Sequence, residues 1–184
     1  SDLLERERTI IERQVKHVVR LVDDLLDVSR ITRGKVELLK EPVAVLDLVE
    51  KAIEMAGPLI EERKHSLEIS VPPELKVYGD VARLSQVIAN LLNNAAKYTE
   101  RSGRITVAAE RSGGSVLLRV RDSGIGIAPE MLPRIFEPFV QESQALDRSR
   151  GGLGLGLSIV RSLVTLHGGR VSAFSDGLGK GTEV

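Results

Sequence analysis

Residues 103–124 read GRITVAAERSGGSVLLRVRDSG, and this stretch decides the fold class. Apolar and polar residues alternate on both sides of Gly113-Gly114, which predicts two antiparallel strands joined by a tight turn. The flanking segments are helical in pattern, with DVARLSQVIANLLNNAAKY at 80–98 and LGLSIVRSLVTLHGG at 155–169. Asp80 is a predicted N-cap for the first of these helices. Helices and mostly antiparallel strands in this mixture predict an α+β protein, built as a two-layer α/β sandwich.

Further from the hairpin the same patterns continue in both directions. KVELLKEPV at 35–43 and HSLEISVP at 65–72 read as strands, and 45–64 reads as a helix with a Gly-Pro interruption. After the second helix, RVSAFS at 170–175 and the closing GLGKGTEV at 177–184 each predict a strand.

The first 34 residues form a segment of their own. Apolar residues recur at intervals of four and three between strongly charged positions, namely Ile11, Val15, Val18, Val22 and Leu25. This pattern is typical of a coiled-coil-like helix whose apolar seam meets another helix, and Arg33-Gly34 ends it. The alternative is an amphipathic helix docked on its own domain. We therefore expect two domains, residues 1–34 and 35–184.

Composition excludes several classes of function. The 184 residues carry 26 Lys plus Arg and 26 Asp plus Glu, so the formal net charge is zero. This balance gives no reason to expect a nucleic acid or an anionic membrane as a partner. The sequence contains no cysteine, which excludes disulfides and thiolate chemistry. No uncharged apolar run approaches the ~18 residues of a membrane span, so we expect a cytoplasmic segment.

Residues 150–160, RGGLGLGLSIV, place glycines directly before a helix. Bare N–H groups at a helix N-terminus bind phosphate oxygens, and the alternative is an ordinary surface turn. The stretch matches neither the P-loop nor the dinucleotide-binding fingerprint, since it lacks the G-K-[ST] ending and follows G-x-G-x-G spacing. Taken alone it is a weak signal.

Asp122 ends the second strand of the hairpin and begins DSGIGI at 122–127. A carboxylate leaving a sheet can accept a hydrogen bond from an exocyclic amine, while the glycines let a flat ring approach the backbone. The alternative is a turn that begins with Asp.

A row of polar residues lies on the predicted helix at 80–98. In NLLNNAAKYT at 90–99, Asn90, Asn94 and Lys97 fall at i, i+4 and i+7, hence on one face. Asparagine is a mediocre helix former, and its amide oxygen suits Mg²⁺, an ion that also bridges phosphates. The alternative is a solvated polar face.

Together these segments resemble the catalytic ATP-binding domain of sensor histidine kinases, within the GHKL superfamily. The boxes that carry the resemblance are NLLNNAAKYT (90–99), DSGIGI (122–127), RIFEPF (134–139), GGLGLGL (151–157) and GLGKGTE (177–183). The resemblance covers nearly the whole chain and implies a GHKL-type sandwich, with helices on one face of the sheet, in residues 35–184. Residues 1–34 resemble the second helix of the dimerisation and histidine-phosphotransfer hairpin, without its first helix.

The resemblance implies roles for individual residues around the nucleotide base and the metal. Asn94 holds Mg²⁺ through its side-chain oxygen, with Asn90 as a second candidate ligand. Asp122 accepts the adenine amino group, and Tyr98 packs near the ring. Thr182 completes the adenine contacts through water. The walls of the ring's pocket are formed by Gly124, Gly126 and Ile127.

The resemblance also implies phosphate contacts. Lys97 reaches the phosphates, and Arg148 contacts them from one end of a lid whose other end is anchored by Phe136 and Phe139. The phosphates are cradled by the second glycine box, at Gly152, Leu153, Gly154, Leu155 and Gly156. Leu153 stands where many relatives have a small hydroxyl residue, so no side-chain hydrogen bond is expected there.

The function implied is transfer of the ATP γ-phosphoryl group to a histidine, with ATP and Mg²⁺ bound. The family's acceptor histidine precedes an acidic residue on the first helix of the hairpin. His17, His65 and His167 do not match that pattern, so we expect no self-phosphorylation of this chain. Expected partners are a second copy, through the helix hairpin, and a response-regulator receiver domain. No nucleic acid or membrane contact is expected for this segment. A membrane anchor in the parent protein, upstream of residue 1, is compatible with this expectation.

Two alternatives remain open at the level of sequence. One is a GHKL-type ATPase of the gyrase or mismatch-repair kind, which is expected to carry a water-activating glutamate four residues before the metal-binding asparagine. That position holds Asn90, whose amide cannot take a proton. The other is a nucleotide-sensing regulatory module without kinase activity. A related serine kinase of the same superfamily leaves the helix in residues 1–34 unexplained.

Overall fold

The computed structural model describes residues 2–141 and 153–184. In these residues the chain forms four helices and six strands, whose bounds in chain order are α1 Asp2–Thr32, β1 Lys40–Ala44, α2 Val45–Glu62, β2 Ser66–Ser70, β3 Lys76–Asp80, α3 Val81–Tyr98, β4 Arg104–Ser112, β5 Ser115–Asp122, α4 Gly156–Leu166 and β6 Thr182–Glu183.

Strands β2, β4, β5 and β6 form the main sheet in that spatial order. Strand β2 runs parallel to β4, while the β4–β5 and β5–β6 pairs are antiparallel. The hairpin predicted around Gly113-Gly114 is confirmed, with Ile105 opposite Asp122 at one end and Ser112 opposite Ser115 at the turn. Strands β1 and β3 pair antiparallel in a separate two-stranded sheet.

Helices α2, α3 and α4 cover one face of the main sheet. The alternate β4 residues Ile105 and Val107 are fully buried and join one core cluster with side chains from all three helices. Helix α3 lies in the middle, in contact with α2, with α4 and with strands β4 and β5. The mixed α+β sandwich predicted from the hairpin is therefore confirmed, because one face of β4 is apolar and needs a layer of helices to cover it.

Several local predictions differ from the structure. Helix α2 runs without a break through Pro58, since Ala56 and Ile60 on either side are buried in the core. Strand β3 was not predicted, because KVYGD contains a glycine and an aspartate, residues that are depleted in strands, and its end coincides with the N-cap of α3. Of the first predicted strand, at 35–43, only residues 40–43 belong to a strand, β1, which continues to Ala44. Residues 170–175 contribute one isolated bridge, between Phe174 and Glu183, instead of a strand.

Helix α1 is attached to the sandwich at its C-terminal end. Both carboxylate oxygens of Asp27 are bound by α3, one by the Arg83 guanidinium at 3.0 Å and the other by the Gln86 amide at 2.6 Å. Val28 and Ile31 pack against the main core. The five seam residues identified in the sequence are between 47% and 61% exposed, so pairing with a second helix stays a prediction. No helix in the described part of the chain is both long and apolar enough to cross a membrane.

Candidate functional site

A cavity of about 120 Å³ opens between the second half of α3, the end of β5 and the start of α4. Its lining is mostly apolar with a few polar groups, the usual character of a small-molecule site. The lining residues are Leu91, Asn94, Ala95, Tyr98, Val120, Asp122, Ile125, Gly126, Ile127, Met131, Ile135, Val140, Gln141, Leu157, Thr182 and Val184. Six of the predicted site residues meet here, namely Asn94, Tyr98, Asp122, Gly126, Ile127 and Thr182.

Helix α3 supplies one wall of the cavity. Its N-terminus is set by Asp80, whose carboxylate accepts the Arg83 N–H at 3.0 Å, so the predicted N-cap is confirmed. Asn94 reaches the cavity between the apolar positions of the same helix face. Asn90 lies one turn earlier, and its amide nitrogen donates to the Gly156 carbonyl at 3.4 Å. Asn90 therefore ties α3 to the start of α4 and is not among the described residues that line the cavity.

Lys97 and Tyr98 interact with each other at the end of α3. The Lys97 ammonium nitrogen lies 4.8 Å from the centre of the Tyr98 ring, a cation–π arrangement. Tyr98 is 39% exposed and lines the cavity, and its place beside a nucleotide base stays a prediction. In this structure Lys97 covers that ring and does not itself line the cavity.

Asp122 forms the polar end of the cavity. Burial raises the pKa of this carboxyl, and hydrogen bonds from the backbone N–H groups of Gly124 and Thr182 only partly oppose the shift. The Gly124 N–H donates to Oδ1 at 2.8 Å, which fixes the carboxylate in one orientation. A partly desolvated acceptor with a fixed orientation is suited to bind a donor group of a ligand.

The glycines after Asp122 are required by close backbone approaches. A Cβ on Gly124 would lie 2.3 Å from the Tyr98 carbonyl oxygen, and one on Gly126 would lie 2.1 Å from the Gly177 carbonyl oxygen. Gly126 also has φ of 71°, in the left-handed region. Gly126 and Ile127 line the cavity as predicted, whereas Gly124 shapes it indirectly by letting the chain pass Tyr98.

The second glycine box leads into α4. The helix begins at Gly156, and Leu155 before it provides no side-chain cap for the first N–H groups. A Cβ built on Gly156 would come into ordinary van der Waals contact with the Asn94 amide nitrogen, at 4.0 Å, so the start of α4 lies beside the Asn94 side chain. Leu153 and Leu155 pack into the core instead of facing the cavity. Gly152 and Arg148 lie outside the described residues.

The two phenylalanines of RIFEPF behave differently. Phe136 is buried, as expected of an anchor, but Phe139 is 62% exposed. The role of both residues as lid anchors stays a prediction. The Phe139 backbone, with φ of 64°, contacts the second glycine box, because its N–H donates to the Gly154 carbonyl at 3.0 Å. This bond joins the two chain positions that flank residues 142–152.

Much of the apolar lining was missed in the sequence. Val120 lies two residues before Asp122 and therefore on the same face of β5, a relation that strand alternation could have revealed. Leu91 and Ala95 sit on the Asn94 side of α3 for the equivalent helical reason. Leu157 and Val184 are distant in sequence from all of these, and no local pattern points to them.

No group of three His, Asp or Glu side chains suited to a metal ion occurs among residues 2–141 and 153–184. His65 donates its Nε2 proton to the Ala96 carbonyl at 3.0 Å. The His167 Nε2 accepts the Asp80 N–H at 3.0 Å, and Nδ1 donates to the Leu163 carbonyl at 2.8 Å. Both ring nitrogens of His167 are therefore engaged at the C-terminal end of α4.

A mixed α+β sandwich with a mostly apolar cavity between Asn94 of one helix and the glycine-rich start of another has the features of a nucleotide-binding class of protein. Residues 79–184 match the family model described as histidine kinase-, DNA gyrase B-, and HSP90-like ATPase. The chain belongs to this family.

Among curated proteins, the histidine protein kinase DivJ of Caulobacter vibrioides is 36% identical over 185 residues, which cover 100% of this chain and 31% of DivJ. The alginate biosynthesis sensor protein KinB of Pseudomonas aeruginosa is 36% identical over 166 residues, covering 90% of this chain and 27% of KinB. The chain thus spans about a third of the length of these relatives or less.

Among solved structures, full-length ShkA in complex with AMPPNP superposes with a TM-score of 0.79 and 31% identity, over 97% of this chain and 37% of ShkA. The Acinetobacter baumannii histidine kinase AdeS gives a TM-score of 0.77 at 25% identity, over 95% of this chain and 80% of that one.

Proposed function

We propose that this chain is the ATP-binding catalytic part of a sensor histidine kinase. The observation that carries the proposal is the single cavity in which Asn94, Asp122 and Gly126 meet beside the uncapped start of α4. Sensor kinases among the relatives, and an AMPPNP complex among the structural neighbours, support the same reading.

Each part of the site has a distinct task in this proposal. Asp122 accepts a hydrogen bond from the exocyclic amine of adenine, and Tyr98 and Ile127 flank the adenine ring. Thr182 contributes to the same end of the pocket. The phosphate end of the nucleotide lies, in this proposal, toward Gly154 and Gly156, where backbone N–H groups without a side-chain cap bind anions. Arg148, Gly152 and Lys97 are proposed as further phosphate contacts.

The amide oxygen of Asn94 is proposed to hold Mg²⁺ together with the nucleotide phosphates, with Asn90 in support. The donor set fits, because Mg²⁺ prefers oxygen ligands and in phosphoryl-transfer sites is held by few protein groups plus the substrate. Bound there, the ion neutralises phosphate charge. The Asn94 amide lies beside the start of α4, 4.0 Å from a Cβ built on Gly156, which brings the proposed metal ligand next to the proposed phosphate site.

The reaction proposed is attack of a neutral imidazole nitrogen on the γ-phosphorus. The new P–N bond forms as the bond between the γ-phosphorus and the β–γ bridging oxygen breaks, ADP leaves, and the imidazole proton is lost to solvent. Neutral imidazole is already nucleophilic near pH 7, so this domain needs to position the phosphates more than to supply a base. A site of amide, glycine and cationic side chains, with Asn90 where a hydrolase would carry glutamate, agrees with this division of tasks.

The full protein is proposed to contain the acceptor histidine on a helix that pairs with α1, and to form a homodimer through that hairpin. Residues 1–34 then belong to the hairpin and residues 35–184 to the catalytic domain. The phosphoryl group would pass to an aspartate of a response-regulator receiver domain.

The test uses the parent protein, with the segment upstream of α1 included, incubated with γ-labelled ATP and Mg²⁺. Acid-labile, base-stable label on the protein, with little free phosphate, supports the histidine kinase. Steady phosphate release without retained label would indicate a GHKL-type ATPase, and bound nucleotide with neither product would indicate a regulatory module. The 184-residue chain alone should bind ATP without becoming labelled.

A further inference from the structure

The loop at 175–181 lies against the backbone of the first glycine box. The Gly181 N–H donates to the Gly124 carbonyl at 3.1 Å, and the Gly179 N–H donates to the Ile125 carbonyl at 2.7 Å. Gly126 approaches Gly177 so closely that no side chain fits between them. The position of one cavity wall therefore depends on a loop more than 45 residues further along the chain.

The hydroxyl of Ser175 holds this loop and the glycine box together. Its oxygen accepts the Ile127 N–H at 3.0 Å and the Gly177 N–H at 3.3 Å, and its proton is donated to the Gly181 carbonyl at 2.7 Å. One donor and two acceptor positions are all that a serine hydroxyl offers. Ser175 therefore uses its full hydrogen-bonding capacity at this junction.

Two hydrogen-bond partners of Ser175, Ile127 and Gly181, connect it to the lining of the cavity. Ile127 is part of the lining, and Gly181 precedes Thr182, whose backbone N–H bonds to the Asp122 carboxylate. Ser175 itself is not among the described residues that line the cavity. Its effect on a bound base is transmitted through the backbone on either side of Asp122.

We propose that Ser175 is a positioning residue that sets the selectivity of the cavity for adenine, a proposal that rests on the proposed nucleotide-binding function. Without the hydroxyl, the Ile127 N–H and the Gly181 carbonyl lose their shared partner. The backbone at Ile127 and the Gly181-Thr182 backbone that orients Asp122 then move independently, and a planar base packs less closely between them.

The experiment measures dissociation constants of ATP and GTP, with Mg²⁺, for the 184-residue chain by calorimetry well below its unfolding temperature. Ser175→Ala is expected to weaken ATP binding on the order of fivefold, the equivalent of one ordinary hydrogen bond, and to lower the preference for ATP over GTP. Ser175→Thr keeps a hydroxyl and should restore ATP affinity to within about twofold of wild type.

A matched control separates positioning from simple loss of stability. The Ser123 hydroxyl also accepts a backbone N–H, that of Arg104 at 2.9 Å, but it joins the ends of β5 and β4 and is exposed. Ser123→Ala removes a single exposed hydrogen bond, so it should lower stability less than Ser175→Ala and leave the ATP-to-GTP ratio unchanged. In an Asp122→Asn background, Ser175→Ala should cost less than about twofold, because the two residues act on the same contact.

The outcomes distinguish this inference from the function on which it rests. Wild-type selectivity in Ser175→Ala, together with loss of binding in Asp122→Asn, would overturn the role of Ser175 and leave the nucleotide site intact. Full additivity in the double variant would also overturn it. A wild-type chain that binds no nucleotide would overturn both proposals.

Discussion

Replacing Asp122 by asparagine separates binding from stability at one position. Asparagine has the same size, and its amide oxygen can still accept the Gly124 N–H that now lies 2.8 Å from Oδ1. The amide nitrogen then takes the place of the second carboxylate oxygen. Because this nitrogen and the proposed adenine amine are both hydrogen-bond donors, they cannot bond to each other. A hydrogen bond to a charged group contributes about 1.5–3 kcal/mol, so ATP affinity should fall roughly 10- to 150-fold. The carbonyl of guanine accepts from that nitrogen, so the preference for ATP over GTP should shrink or reverse.

The effect of this substitution on stability should have the opposite sign. Burial raises the pKa of Asp122 in the folded chain above its ordinary value of 3.8. The folded state then binds more protons than the unfolded state between these two pKa values, so stability falls as pH rises through that window. The neutral asparagine does not carry this cost. Asp122→Asn should therefore unfold at the same or a higher urea concentration at pH 7, with a weaker dependence on pH above 4.

Calorimetric titration with ATP and GTP, and urea unfolding between pH 4 and pH 8, test both expectations on one sample. Asp176→Asn is the matched control, because it removes the same charge from an exposed carboxylate that does not line the cavity. Unchanged ATP affinity and selectivity in Asp122→Asn would mean that the base does not bind at this carboxylate. A large loss of stability would mean that the carboxylate stabilises the fold, contrary to the desolvation argument.

Three further predictions concern positions around the site. Gly154→Ala should cost more stability than Gly113→Ala in urea unfolding, and it should also weaken ATP binding in a titration. Both glycines have positive φ, for which a side chain costs about 1–2 kcal/mol. Of the two, only Gly154 would bring its Cβ against a carbonyl oxygen, at 2.9 Å. Asp80→Ala should cost about 0.5–2 kcal/mol as a lost N-cap. Burial alone would raise the pKa of Asp80, but hydrogen bonds and nearby positive charge outweigh burial and lower the pKa below 3.8. The stability advantage of wild type over Asp80→Ala is therefore present above about pH 4 and lost as the pH falls below 3.8. Equal unfolding free energies of the two proteins at pH 7 would contradict this. Asp27→Asn should speed amide exchange at 28–31 by about fivefold, since it removes the ion pair that holds the end of α1 on α3; unchanged exchange would show that apolar packing alone holds α1 there.

The elements that the sequence predicted best are those whose signals are local. The hairpin of β4 and β5 follows from alternation on both sides of two glycines, and the start of α3 follows from Asp80 three residues before the N–H that it accepts. The polar side of α3 follows from helical spacing. Each of these signals lies within a few residues, so neighbouring chemistry was enough to read it.

Packing decided several features that local preference could not. Pro58 does not interrupt α2, because buried side chains on both sides hold the helix against the core. The Phe139 side chain is 62% exposed, and its backbone N–H donates to the Gly154 carbonyl; its role as a lid anchor stays a prediction. The amphipathic pattern of α1 allowed either a partner helix or docking on its own domain, and only the structure shows that Val28 and Ile31 pack on the main core.

The sequence by itself determined which chemistry is present, since the residue types and spacings of the asparagine face, of Asp122 and of the glycine boxes are local features. Only the tertiary structure decided how these groups form one cavity. Leu157 and Val184 line the cavity from the far end of the chain, and Ser175 contacts the backbone of its wall; their positions depend on how helices and loops pack. Packing is a property of many distant contacts at once, so no short window of sequence encodes it.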